Sequence, residues 1–237
     1  MSSDVFTKEN LDIYLKELAK EFRKLNGKTM PAEIILVGGA AILTNYGFRN
    51  MTTDIDAVIS ASSAMKEAIN HVGDKYQLPN GWINKDFMRT SSYSPKIIQF
   101  SVFYKTFSNI LNVRTVNAEY LIAMKLRSGR KYKNDLSDII GILSEHKKVG
   151  KPIGLEAIDL AVKNLYGGWE GFPEESKSFI ENAIKNGNFE KLYESVKTEE
   201  LQAKDVLVNF NKSSPNIAND TNANDIINTL KTKKRRL

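Results

Sequence analysis

The sequence predicts an α/β protein followed by a helical C-terminal part, and three observations carry that prediction. In ILVGGAAILTNYGFRNMTTDIDAVI, residues 35–59, a buried strand, a Gly-Gly turn, a helix and a second strand follow one another. Residues 96–104 and 110–116 are rich in β-branched and aromatic side chains and read as a strand pair. After Gly150 three helical stretches, near 153–166, 174–186 and 188–210, come with no convincing strand among them.

The elements follow in order. Leu11, Tyr14, Leu15, Leu18, Phe22 and Leu25 recur at helical spacing, and Asn26-Gly27 closes that first helix. Residues 33–37 form a short buried strand and 40–46 a short helix ending at Gly47. The strand 53–60 carries Asp54 and Asp56, and Ser62 or Ser63 caps a helix running to Tyr76. Leu78-Pro79-Asn80-Gly81 is a turn. Residues 117–127 form a helix broken by Ser128-Gly129, and 135–146 form another. The strand-bearing part ends near residue 115 and the composition changes after Gly150, which suggests a division into 1–150, a helical region 151–210 and a tail 211–237. The tail is rich in Asn, Ser and Thr, ends in KTKKRRL and is expected to be flexible, with Ile226, Ile227 and Leu230 able to form one short amphipathic turn.

Composition narrows the function classes. Hydrophobic residues at 41% and charged ones at 26% are ordinary for a globular protein. No window approaches the about 20 apolar residues of a membrane helix, and the N-terminus has no apolar core of a secretory signal, so a cytoplasmic location is the expectation. Without cysteine there is no thiolate zinc site, and His71 and His146 alone argue against histidine-based chemistry. A net charge of +6 favours a polyanionic partner such as RNA. Basic and aromatic residues alternate through Lys85, Phe87, Arg89, Tyr93, Lys96, Tyr104 and Lys105, which suits either single-stranded RNA or ordinary strand packing.

The chemistry concentrates in two places. Alternate strand residues share a face, so Asp54 and Asp56 project together while Ile55 points to a core. Two adjacent carboxylates call for a cation or a proton between them. Gly38 and Gly39 stand where a strand opens into a helix, where the backbone can approach a ligand and the first N–H groups attract phosphate. A Mg²⁺ site handling a nucleoside triphosphate is the expectation; a tight turn beside a charged strand is the structural alternative.

Val37-Gly38-Gly39 followed by Asp54-Ile55-Asp56 resembles the signature of the DNA polymerase β-type nucleotidyltransferase superfamily, hG[GS] and then Dh[DE]h. The stretch KLRSGRKYKNDLSDI, 125–139, resembles a block of the AbiEii-like bacterial nucleotidyltransferases, several of which are toxins of toxin–antitoxin or phage-defence systems. The resemblance implies a mixed sheet flanked by helices, with Asp54 and Asp56 binding Mg²⁺ or Mn²⁺ and the backbone at Gly38 and Gly39 cradling the triphosphate. It further implies that Lys125 and Arg130 neutralise the departing pyrophosphate; their alternative is a solvated helix residue and a loop charge. For Asp135 a place in the active site competes with a role as helix N-cap, and Asp138 would lie in the first turn. Two departures stand out. Gly39 replaces the frequent serine, and the strand pair offers Gln99, Ser101, Asn112 and Arg114 where the polymerase-type members carry a third carboxylate.

The function expected is therefore metal-dependent transfer of NMP from an NTP to a hydroxyl of RNA, such as tRNA, or of a protein, with a cognate antitoxin as a further partner. A non-catalytic module that keeps the fold and binds nucleotide or nucleic acid is the alternative from another class. An aminoglycoside-type transferase fits less well, because a cationic substrate needs an acidic pocket and the net charge is +6.

Overall fold

The computed structural model of the chain describes residues 5–219 and 222–234. They form two compact units, one running up to Met124 and taking in Leu160–Gly168, the other holding Lys125–Asp159 and the chain from Trp169 on. The division follows spatial contacts rather than the composition change at Gly150, and it falls inside two helices, α4 (Ala118–Ser128) and α6 (Leu155–Tyr166). No helix of the described residues is long and apolar enough to cross a membrane.

The first unit is built on a mixed sheet. Its strands are β1 (Ala32–Leu36), β2 (Ile55–Ser60), β3 (Ile83–Asn84), β4 (Ser101–Phe107) and β5 (Leu111–Val116), in the order β3-β2-β1-β5-β4. β1 runs antiparallel to β2 and parallel to β5, β2 is parallel to β3, and β4 is antiparallel to β5. The run Ile34, Ile35, Leu36 is buried, as befits a central strand covered on both faces. Helix α2 (Gly38–Asn45) leaves β1 directly, and Ala40, Ala41, Ile42 and Leu43 are all buried. Helix α1 (Lys8–Asn26) is closed at its start by a reciprocal cap between Thr7 and Asn10 and packs Leu11, Leu15, Leu18 and Phe22 inward, against α3 (Ala64–Tyr76) among other elements.

Two expectations are corrected within the sheet. The strand expected over 96–104 begins only at Ser101, because Pro95 opens a 3-10 turn, Pro95–Phe100, with Ile97 buried beneath it. The aspartate strand starts at Ile55, so Asp54 is an exposed residue just before β2 rather than a member of it.

The second unit is helical. Helix α5 (Asp135–Lys148) buries Ile139, Ile140, Ile142 and Leu143 and packs against α8 (Phe189–Ser213), beside α7 (Glu174–Asn186). The stretch from 211 onward, expected as a basic tail, carries the end of α8 and a further helix, α9 (Ala223–Lys234). Ala223 and Ile227 of α9 are buried, and Asn224 bridges the chain at Gly129 and Lys131, donating to the first carbonyl at 2.9 Å and accepting from the second N–H at 3.1 Å. The last three residues of the basic run, 235–237, lie outside the described residues.

Where α8 meets α5, Glu200 occupies the head of α5. Its carboxylate accepts from the backbone N–H of Leu136 at 2.8 Å and of Ser137 at 3.2 Å, and from the Ser137 hydroxyl at 2.5 Å. A carboxylate there satisfies helix N–H groups that have no partner within the helix. Burial nevertheless pushes the Glu200 carboxyl up to about 7, with the hydrogen bonds opposing the rise and Asp138 adding to it. The folded protein thus holds this proton more tightly than the unfolded chain does. The group's contribution to stability is complete below its ordinary value of 4.5 and is lost as pH rises through about 7. Calorimetric unfolding is expected to show a midpoint that falls between about pH 5 and pH 8, and Glu200→Gln is expected to flatten that fall. Equal slopes in the two proteins would remove Glu200 as its source.

Candidate functional site

Helix α2 begins at Val37, its N-cap residue, which is in extended conformation and has no side chain that could cap the first turn. Val37 itself donates its N–H to the backbone carbonyl of Asp56 at 3.0 Å, which locks the start of the helix to β2. Gly38 has a φ of +53°, which an L side chain rarely adopts, and a Cβ there would lie 3.7 Å from Oδ2 of Asp56. The half-buried Asp56 carboxylate therefore stands against the backbone at the head of α2.

Gly39 is glycine for a different reason. A Cβ on it would meet Oγ1 of Thr52 at 2.6 Å and Nη2 of Arg49 at 2.8 Å. These side chains come from the loop between α2 and β2. Arg49 donates from Nε to the carbonyl of Met51 at 3.0 Å and from Nη2 to the Thr52 hydroxyl at 3.5 Å. Thr52 donates to Asp54, at 3.2 Å from the carbonyl and 3.4 Å from the carboxylate. The loop is anchored behind by paired backbone hydrogen bonds between Thr52 and the fully buried Phe6, at 2.7 and 2.9 Å. Gly38, Gly39, Asp54 and Asp56 are thus brought into one neighbourhood of the first unit, with Arg49 and Thr52 as members the sequence had not singled out.

On the far side of β2 its neighbour is β3, which pairs Asn84 with Asp56. The strand pair expected to supply a third carboxylate lies across β1 from β2: β5 joins β1, and Arg114 donates to Ser101, from Nε to the hydroxyl at 2.8 Å and from Nη2 to the carbonyl. The residue beside Asp56 is hence a neutral amide whose own carbonyl accepts the Asp86 N–H at 2.8 Å. On β1, Glu33 sits opposite Ser60, at the other end of β2. Among the described residues no group of three or more His, Asp or Glu side chains is placed to hold a metal ion. Asp54 and Asp56 offer the carboxylate oxygens that a hard cation takes, and its other ligands would have to come from water or from a substrate's phosphates.

Lys125, Arg130, Asp135 and Asp138 belong to the second unit, where they are bound to one another. Nζ of the buried Lys125 lies 2.8 Å from Oδ1 of Asp135 and 2.8 Å from Oδ2 of Asp138. Arg130 grips the same Asp135 through Nε at 2.9 Å, Nη2 at 3.2 Å and its backbone N–H at 3.2 Å. Asp135 is fully buried. Burial alone would raise its carboxyl, but the two cations outweigh that and hold it well below the usual carboxylate range. Asp135 is the first residue of α5 rather than its cap, a position that falls to Asn134. Other residues the sequence offered for RNA are also engaged internally. Phe87 is buried with its ring 5.4 Å from that of Tyr93, and Asp12 accepts from the Tyr104 hydroxyl at 3.0 Å and pairs with Lys105 at 2.8 Å.

A strand, a glycine-started helix and a second strand with a carboxylate against that helix's head occupy a stretch that a family profile also recognises. The chain belongs to the nucleotidyltransferases of unknown function designated DUF6036. The profile matches residues 14–147, which take in both aspartates, both glycines and the Lys125–Asp138 cluster. No curated protein and no solved structure matches the chain.

Removing one partner of a buried ion pair strands the other charge, at a cost of about 3–5 kcal/mol. Lys125→Met is therefore expected to lower the free energy of unfolding in denaturant by about 3 kcal/mol or more. An unchanged unfolding midpoint would mean that Lys125 is not needed to hold Asp135.

Proposed function

We propose that this member of the nucleotidyltransferase family is a metal-dependent enzyme that transfers NMP from an NTP to a hydroxyl of RNA, with a protein hydroxyl as the other acceptor class. The observation that supports it best is the Asp56 carboxylate set against Gly38 at the head of α2, with Asp54 tied alongside through Thr52. Asp54 and Asp56 would hold Mg²⁺ or Mn²⁺, which neutralises charge on the triphosphate. The N–H groups of the first turn of α2 would donate to phosphate oxygens. In the reaction the acceptor oxygen bonds to the α-phosphorus, the bond to the bridging oxygen breaks, pyrophosphate leaves, and the hydroxyl proton passes to solvent. A net charge of +6 favours RNA over a cationic acceptor. The AbiEii-like pattern at 125–139 suggests a toxin or phage-defence setting with an antitoxin partner. A non-catalytic binding module is the second reading, favoured by the lack of a third carboxylate among Gln99, Ser101, Asn112 and Arg114.

Incubation with each α-labelled NTP, Mg²⁺ or Mn²⁺ and total cellular RNA, beside Asp54→Asn/Asp56→Asn, separates the two. The expected outcome is label in an RNA band or in protein that disappears with the double variant. Nucleotide binding without any incorporation would instead identify a module that has kept the fold.

A further inference from the structure

Arg49 occupies the space that a side chain at residue 39 would need. Its guanidinium is half-buried, with Nη2 2.8 Å and Cζ 3.1 Å from where a Cβ of Gly39 would stand. The head of a helix carries partial positive charge, so a guanidinium pressed against the second residue of α2 sets like charges together. Such an arrangement calls for an anion shared by both. Within the neighbourhood the anions are the carboxylates of Asp54 and Asp56. A cation bound by those carboxylates would take up their charge and leave the guanidinium and the helix N–H groups facing the next anion to arrive.

We infer that Arg49 binds the phosphate chain of the substrate at the head of α2, a role that rests on the nucleotidyltransferase reading above. A guanidinium presents paired N–H donors whose geometry matches two phosphate oxygens, which a lysine ammonium does not. Nε donates to the Met51 carbonyl and Nη2 to the Thr52 hydroxyl, contacts that hold the guanidinium beside Gly39. Lys125 and Arg130, the cations first assigned to this task, bind Asp135 in the second unit. Gly39 is then required because a side chain there would displace the phosphate-binding arm.

Inorganic tripolyphosphate is the probe, since it carries the phosphate chain without base or acceptor. Its affinity is measured by titration calorimetry at saturating Mg²⁺, with Mn²⁺ binding alone followed by paramagnetic resonance. The native protein is expected to bind the probe, and Asp54→Asn/Asp56→Asn to lose the Mg²⁺-dependent part of that affinity. Arg49→Gln is expected to weaken the probe by about tenfold or more while Mn²⁺ binding and the unfolding midpoint stay unchanged. Arg49→Lys, which keeps the charge but not the fork, is expected to fall between the two, and it decides the matter should the glutamine variant fail to fold. Gly39→Ala keeps the arginine but displaces it, and is expected to weaken the probe as Arg49→Gln does. Native affinity in both Arg49 variants, with the aspartate double variant impaired, would overturn the role of Arg49 and leave the nucleotidyltransferase reading standing. Equal loss of Mn²⁺ and probe binding would show that Arg49 acts by placing Asp54, which also overturns it. No binding by the native protein, or binding indifferent to the aspartates, would remove both.

Discussion

The head of α2 has no room for a side chain, and the site is organised around that constraint. At Gly38 the obstacle is conformational, a left-handed backbone facing the Asp56 carboxylate. At Gly39 it is steric, with Thr52 and Arg49 within 3 Å of any added carbon. Hydrogen bonds in the same neighbourhood hold the aspartates in place. The Val37 N–H fixes Asp56 through its backbone, and Thr52 fixes Asp54 through its hydroxyl. Phe6, fully buried, ties Thr52 to the core through backbone hydrogen bonds, so the loop carrying an exposed aspartate is supported from behind.

The second unit solves a different electrostatic problem. Asp135 is fully buried and two cations converge on it, while Lys125 also reaches Asp138. Pairs of this kind rarely add net stability compared with apolar packing, but they are costly to break, and they specify how their elements fit. Glu200 at the head of the same α5 adds a further carboxylate, held by hydrogen bonds to N–H and hydroxyl groups. Exposed pairs such as Lys20 with Glu17 contribute much less because water screens them. The Lys-Arg-Asp block expected to act on pyrophosphate is tied together within its own unit by these pairs.

Much of the fold was legible because its signals are local. The apolar spacing of Leu11, Leu15, Leu18 and Phe22 gives α1, and the Gly-Gly after Ile34-Ile35-Leu36 marks the passage from β1 to α2. The mixed five-stranded sheet with flanking helices agrees with the fold class expected. What escaped is non-local. β3 is two residues long and has no periodicity to read, yet it puts Asn84 next to Asp56. Arg49 and Thr52 sit in an irregular loop, and it is the space beside Gly39 that shows them packed on the head of α2. A glycine whose side-chain space is taken by another residue looks, in sequence, the same as a glycine kept open for a ligand. Lys125 and Asp135 lie ten residues apart across a helix break, and their pairing depends on how α4 and α5 fold back together.

The lack of a third carboxylate among Gln99, Ser101, Asn112 and Arg114 bears on how such a site would perform transfer. A positioned general base contributes about 10²–10⁴-fold in typical enzymes. Phosphoryl transfer passes through a loose transition state in most analyses, in which little charge builds on the attacking oxygen and most lies on the transferred group and the leaving pyrophosphate. The proton of the acceptor hydroxyl is then lost late, and solvent can take it. Charge neutralisation and alignment are the larger contributions, and the residues suited to them, Asp54, Asp56 and the α2 backbone, are present. A site without that third carboxylate is also one negative charge poorer, which eases the approach of a polyanionic triphosphate. On the nucleotidyltransferase reading, the missing carboxylate is thus the group that a loose transition state depends on least, and its lack favours entry of the triphosphate.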